Sequence, residues 1–256
     1  MSPKVHILLT NDDGFHADGL QTLFAFLKDK AQVSIAAPDR ERSAIGHAIT
    51  MHQPLRYTVK SENQWMIDGT PADCVKLAIE YLLKDNPPQL IISGINRGPN
   101  LGNDVLYSGT VSAAIEGYFC QTPSLAVSLA DFGKVDFTPA AAFIAAKIEP
   151  LSQLAVNTVL NINFPPSAIN GRYRGVKFTE LGKMIYRNVF EARQDLRGQT
   201  YFWLGGDPVE FEQNENADIK AVNDGFISIT PLNPDITDYQ YLRDLDKKMK
   251  LLSDEA

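Results

Sequence analysis

The chain has 256 residues, 44% of them hydrophobic, which suffices for one large α/β domain with a substantial core. Thirty-one acidic against 24 basic residues leave a net charge of −7. That balance argues against a long nucleic-acid interface, where clustered positive charge replaces phosphate counterions, but not against a small phosphate-bearing substrate held by backbone amides or a metal ion.

Met1-Ser2-Pro3-Lys4 leads straight into the short strand Val5–Thr10, too short for the core of a secretory leader. No apolar run reaches the roughly 18 residues needed to cross a bilayer. Cys74 and Cys120 both lie in apolar, helix-patterned segments and read as buried free thiols. A cytoplasmic protein without membrane contacts is expected.

After strand Val5–Thr10 comes a helix with Leu20, Leu23, Phe24 and Leu27 on one face. Val33–Ala37 reads as the second strand, closed by Pro38, and a polar loop runs from Asp39 to His47. Ala48–Asp68 holds short strands ending at Trp65-Met66-Ile67. Thr70-Pro71-Ala72-Asp73 starts a helix, with a Thr cap, Pro at the first position and an acid in the first turn. Val75, Ala78, Ile79 and Leu82 form its buried face. Leu90–Gly94 is a buried strand, and Ile95–Asn103 a glycine-rich loop. Ser108-Gly109-Thr110 opens the next helix, and Ser124–Leu129 is a strand. This alternation of strand and helix predicts a parallel sheet with helical crossovers. Further on, Thr138-Pro139 starts an alanine-rich helix and Thr158–Phe164 is a strand ended by Pro165-Pro166. Residues 172–232 look like strands and hairpins rich in aromatics, and Asp235–Ser253 like a charged helix capped by Thr237 or Asp238. The expected organisation is one domain over 1–256, with an alternating α/β core in 1–130, which would carry any catalytic site, and the rest of the core, a β-rich arm and a helical tail in 131–256.

In open parallel sheets, ligands bind beyond the carboxyl ends of the strands at a switch in strand order. Asp12 and Asp13 follow the first strand, Ser43 the second, and Asn96 and Asn100 the 90–94 strand. Two adjacent carboxylates in a cleft repel unless a proton or cation separates them. With a hydroxyl and a carboxamide they form an all-oxygen set suited to Mg²⁺ or Mn²⁺ rather than zinc. The alternative is that they only cap the next helix. His6, His16, His47 and His52 lack zinc-site spacing. The Gly94–Gly102 loop matches neither G-x-G-x-x-G nor a P-loop, which disfavours hydride chemistry and P-loop hydrolysis. Ser108-Gly109-Thr110 offers an anion site of free amides, helix dipole and hydroxyls, or else an ordinary cap. A Ser-His-Asp hydrolase using Ser43 or Ser108 with His47 competes, though no G-x-S-x-G elbow exists. An aspartyl-phosphate phosphatase would want aspartates two apart rather than adjacent.

Five blocks in order strongly resemble the SurE family, the survival-protein nucleotidases: Thr10-Asn11-Asp12-Asp13-Gly14, Ala37–Ser43, Gly69–Val75, Ser93–Asn100 and Tyr107–Ala114. Echoes continue at Leu160–Asn163 and Ile227–Pro231. The resemblance implies a three-layer α/β/α Rossmann-like fold, whose β-hairpin arm and C-terminal helix make homodimers or homotetramers. It implies a 5′/3′-nucleotidase acting on nucleoside monophosphates, in some members also on short polyphosphate, with one divalent ion (Mg²⁺ or Mn²⁺) per subunit. The metal ligands would be Asp12, Asp13, Ser43 and Asn96. Phosphate contacts would be Asn100, Ser108, Gly109 and Thr110, with catalysis by Asp12 and Asp13. One departure is Asp195-Leu196-Arg197-Gly198, where a Pro before the Arg-Gly is common in the family.

Overall fold

The computed structural model describes residues 4–133, 135–166, 173–187, 189–209 and 214–246. The strands β1 (His6–Thr10), β2 (Gln32–Pro38), β5 (Leu90–Arg97), β6 (Ser124–Leu129) and β7 (Val159–Phe164) are nearly continuous apolar runs. Strands of that kind bury both faces and require helices on each side. Ile7, Leu9, Ile35, Ile92, Val127 and Ile162 face one way, into a cluster completed by helices α1 (Asp18–Leu27), α4 (Thr138–Ala146) and α5 (Ile148–Leu154). Leu8, Ala36 and Ile91 face the other way onto helix α2 (Pro71–Leu77). Ala126 and Val159 meet helix α3 (Gly109–Phe119) on that same side. Each fully buried Leu or Ile adds about 1.5–3 kcal/mol. The result is the expected α/β/α sandwich.

With β3 (Tyr57–Ser61), β4 (Gln64–Ile67), β8 (Val176–Phe178) and β13 (Ile227–Leu232), the sheet has nine strands in the order β3-β4-β2-β1-β5-β6-β7-β13-β8. Strand β1 pairs in parallel with β2 on one side and β5 on the other. The chain first winds outward from β1 through β2 to β4, then returns to lay β5 on the opposite flank. The strand order therefore switches between β1 and β5, where a crevice opens. Antiparallel pairs occur toward the edges, β3 with β4 and β13 with β7.

Several expectations need correction. Strand β5 runs on to Arg97, so Asn96 sits on the strand end rather than in a loop. The stretch 172–232 is not all strands, because helix α6 (Asp218–Asn223) interrupts it. Beyond Leu77 the second helix widens into a π-helical turn, Ala78–Leu82, which leaves Ile79 and Leu82 only partly buried. Phe24 is likewise partly buried, and so is the free thiol of Cys120, whereas Cys74 is buried. The arm comprises the pairs β10 (Phe190–Gln194) with β11 (Thr200–Leu204) and β9 (Tyr186–Arg187) with β12 (Asp207–Pro208). The tail helix α7 spans Tyr239–Asp246, where the Tyr241 amide donates to the Asp238 side chain at 2.8 Å. The predicted remainder of that helix, 247–253, lies outside the described residues. No helix among the described residues is long and apolar enough to cross a membrane.

Candidate active site

The turn after β1 is built by Asn11, whose side chain donates to the Gly14 carbonyl at 2.9 Å and accepts the Gly14 amide at 3.2 Å. This closes a tight Asx-type loop and fixes the two acids at the mouth of the crevice. Asp12 is 4% exposed. Its Oδ1 accepts the Thr110 hydroxyl at 2.5 Å, and its carbonyl accepts the Arg42 amide at 2.7 Å. Asp13 is less buried, and its Oδ2 accepts the Arg97 amide at 3.3 Å. Burial pushes the Asp12 carboxyl up against the opposing pull of the Thr110 hydroxyl. Burial, then the charge of Asp12, pushes Asp13 up to about 6. The Glu41 carboxylate adds to both shifts. The pair is thus desolvated and short of positive charge, a poor arrangement for two carboxylates alone and a good one for a hard cation.

Helix α3 arrives on Asp12 at its first turn. A Cβ on Gly109 would lie 2.7 Å from the Asp12 Cβ and 2.9 Å from its Oδ2, so only glycine allows this approach. Ser108 is the N-cap: its Oγ accepts the Val111 amide at 3.1 Å, as the capping alternative anticipates, and its O–H remains a donor. With the Val111 amide capped, those of Gly109 and Thr110 are the remaining first-turn donors, and the Thr110 amide adds to the field at Asp12.

Asn96 and Ser43 are held close to this centre but are turned elsewhere. The Asn96 side-chain Nδ2 donates to the Gly98 carbonyl at 3.0 Å, and the Ser43 hydroxyl donates to Glu41 Oε1 at 2.8 Å. The loop that carries Ser43 is pinned along its length. Arg42 N–H reaches Asp12, Gly46 N–H reaches the Tyr107 carbonyl at 3.0 Å, and His47 Nε2 meets Glu116 at 2.9 Å. Glu116 also takes Lys76 at 2.8 Å, and the His47 bond above all holds its carboxyl below the usual range. His47 is therefore spent on Glu116, Ser43 on Glu41 and Ser108 on its helix, and no Ser-His-Asp contact forms among the described residues.

Asn100 sits one step deeper, 7% exposed and held from three sides. Its amide N–H donates to Asn163 Oδ1 at 2.8 Å, and its side chain donates to Ser128 at 2.7 Å. Its carbonyl accepts the Asn161 and Asn163 side chains at 2.8 and 3.0 Å. From the sequence Asn161 and Asn163 entered only as part of the Leu160–Asn163 echo, and no site role was assigned to them or to Ser128, although two asparagines alternating within an apolar strand are a recognisable signal of a buried polar job. Glu41, the Arg97 amide and Glu116 were missed as well. An acid in the middle of an otherwise small and apolar helix was the available clue for Glu116. Among the described residues no cluster of three His, Cys, Asp or Glu side chains has metal-site geometry. A cation here would draw on the carboxylate pair plus neutral oxygens.

Residues 7–188 match the family described as Survival protein SurE. The 5′-nucleotidase SurE of Pelotomaculum thermopropionicum is 47% identical over 253 residues, covering 96% of each chain. That of Desulforamulus reducens is 49% identical over 250 residues, covering 94% of this chain and 97% of its own. The crystal structure of the SurE protein from Aquifex aeolicus shares the fold with a TM-score of 0.84 at 34% identity, over 95% of this chain and 99% of that one. With a matching profile across most of its length and relatives this similar end to end, the chain belongs to the SurE family.

Proposed function

We propose that this protein is a divalent-metal-dependent phosphomonoester hydrolase that releases phosphate from nucleoside 5′- and 3′-monophosphates. The observation that carries the reading is the seating of helix α3 on Asp12. One buried and one half-buried carboxylate, both desolvated, stand at the strand-order switch, with Asp12 directly against the N-terminus of a helix. Relatives named 5′-nucleotidase SurE supply the substrate class. Asp12, Asp13, Ser43 and Asn96 would hold one Mg²⁺ or Mn²⁺ per subunit, Ser43 and Asn96 after turning from Glu41 and Gly98. Held there, such an ion would supply Lewis-acid polarisation of the phosphoryl group.

The chain's own residues do the rest. In this reading the Gly109 and Thr110 amides, the latter shared with Asp12, and the Ser108 O–H donate to phosphoryl oxygens, and Asn100, held on a rigid buried mount, completes the set. The Thr110 hydroxyl, already donating to Asp12, orients that carboxylate, and the contact of Thr110 with phosphate falls to the amide it shares with Asp12. Of the two acids that could take a proton from attacking water, we assign the step to Asp13, the more open one, whose Oδ2 accepts the Arg97 amide at a long 3.3 Å. The arm exposes Phe190, Phe202, Trp203 and Leu204, and the tail Tyr239, Leu242 and Leu245. We read these as the homodimer or homotetramer surfaces, since apolar patches of this extent mark interaction sites.

The test is phosphate release from purified protein across Mg²⁺ and Mn²⁺, the 5′- and 3′-monophosphates of each nucleoside, and short polyphosphate. Metal-dependent turnover of monophosphates, nearly abolished in Asp12→Asn with folding intact, is expected. A folded Asp12→Asn variant with wild-type turnover would overturn the assignment, as would no release from any monophosphate.

A further inference from the structure

The short 3₁₀ turn Gly102–Leu106 joins Asn100 to the Ser108 cap, and it is fastened to the root of the β arm. The central fastener is Asp218, the first residue of α6 and fully buried. Its Oδ2 accepts the Gly102 amide at 2.9 Å, and its Oδ1 accepts the Gly182 amide at 2.8 Å and the Ile219 amide at 2.8 Å. Around it, Asn103 Oδ1 accepts the Met184 amide at 2.6 Å, and the Tyr186 hydroxyl donates to Asp104 Oδ2 at 2.6 Å. Gly102 and Gly182 meet backbone to backbone: a Cβ on Gly102 would lie 2.8 Å from the Gly182 carbonyl oxygen. None of these contacts belongs to the carboxylate centre. All of them hold the segment that delivers Gly109 and Thr110.

A buried carboxylate is retained only where its oxygens are well satisfied. Here the satisfaction is divided, one oxygen for the segment before α3 and the other for the arm root. Asparagine cannot reproduce that division. It offers one oxygen, and its NH₂ would face an N–H donor, so either orientation releases Gly102 or Gly182.

We propose that Asp218 is a positioning residue for the phosphate site: it seats Gly102–Leu106 against the arm root, so that phosphate binding at Gly109 and Thr110 and the placement of the arm are coupled. This rests on the phosphomonoesterase reading above. By reciprocity, phosphate that favours the seated loop must also tighten the arm root.

The test uses the full chain with Mn²⁺ and compares wild type, Asp218→Asn, Asn103→Ala and Tyr186→Phe. The readouts are kcat and KM for AMP, inhibition by inorganic phosphate, Mn²⁺ affinity, and amide hydrogen exchange at Gly102, Gly182 and Met184 with and without inorganic phosphate. In Asp218→Asn, KM and the phosphate inhibition constant rise about tenfold, matching the loss of one charge-assisted bond, while Mn²⁺ affinity stays within about twofold. In the two half-exposed variants the rise is about threefold, and these decide the matter if Asp218→Asn does not fold. Phosphate slows exchange at Gly182 and Met184 in wild type and fails to do so in Asp218→Asn. Folded variants with wild-type KM and phosphate inhibition would overturn the proposal. So would weakening of Mn²⁺ by the same factor as KM, the mark of a merely structural residue, or exchange at Gly182 and Met184 that ignores phosphate. If wild type releases no phosphate at all, the hydrolase reading fails separately, and the exchange experiment still tests the coupling.

Discussion

Gly109→Ala is the substitution that most directly tests the contact between helix α3 and Asp12. The added Cβ would lie 2.7 Å from the Asp12 Cβ, against an ordinary carbon–carbon contact of about 3.5–4.0 Å, so roughly 1 Å of separation must be created. Asp12 has little freedom to supply it, since its Oδ1 is bound by Thr110 and its carbonyl by the Arg42 amide. The shift therefore falls on the relation between the carboxylate and the first-turn amides. A misplacement of about 1 Å in a reacting site costs on the order of 10²-fold in rate, or about 2.7 kcal/mol of transition-state stabilisation. Stability should suffer less. Alanine in a helix gains about 0.5–1 kcal/mol over glycine, which partly offsets an overpacking cost of about 1–3 kcal/mol. The variant should stay folded, with kcat/KM for AMP down about a hundredfold. Initial rates at saturating Mn²⁺, run beside a thermal melt, measure both. A folded variant within threefold of wild-type kcat/KM would refute the claim that α3 is seated on Asp12 for catalysis.

Metal affinity should depend on pH through Asp13. Its carboxyl, raised to about 6 without metal, must lose its proton for a cation to bind, so binding is pH-insensitive above about 7 and weakens below 6, with proton release. The stability linkage has the matching sign: a raised folded-state pKa means that the ionised acid costs stability, a cost absent at low pH and fully present above 6. The gain in melting temperature on adding Mn²⁺ to chelated protein should accordingly be larger at pH 7.5 than at pH 5.5, and an equal gain at both would count against Asp13 as a ligand. Thr110→Val removes a hydroxyl from a buried carboxylate and should cost about 1.5–3 kcal/mol in urea unfolding with chelator present. Asn163→Ala should cost about 1–3 kcal/mol and raise KM for AMP while leaving Mn²⁺ affinity nearly unchanged, because it loosens Asn100 and not the carboxylates. Gly94→Ala should fail to give folded protein by near-UV circular dichroism, since its Cβ would lie 2.2 Å from the Val127 carbonyl oxygen at a φ of +133°.

The α/β/α architecture was legible because its signals are local. Buried parallel strands announce themselves as apolar runs, and β6 falls on Ser124–Leu129 as read from sequence. The start of α2 was equally plain: Thr70 and Asp73 form the reciprocal capping box that their spacing suggests. What escaped was decided by tertiary contact. Strand β5 continues through Ile95-Asn96-Arg97 despite Gly94, because β6 offers partners to Asn96 and Arg97 beyond an irregularity in register. Helix α6 was hidden in a segment read for its hairpins. It is a short helix whose apolar face amounts to Ala221 and Val222, and Asp218 fixes its start by binding the Gly102 and Gly182 amides.

The candidate site divides along the same line. Asp12 and Asp13 could be found because adjacent acids at a strand end are a local oddity, and Gly109 because it opens a helix. Their contact could not, since Thr110 reaches Asp12 across 98 residues of sequence. The same holds for the residues that make the site rigid. Asn161 and Asn163 clamp Asn100 from more than sixty positions away, and Glu116 grips the loop of Ser43 through His47. A single sequence shows which residues are chemically unusual for their local pattern. It does not show which of them are in contact, and a buried polar side chain is accounted for only once its partner is known. Asp218 illustrates the difference: from sequence it is one acid among 31 in a polar stretch, whereas in the fold its two oxygens join the phosphate-site segment to the arm.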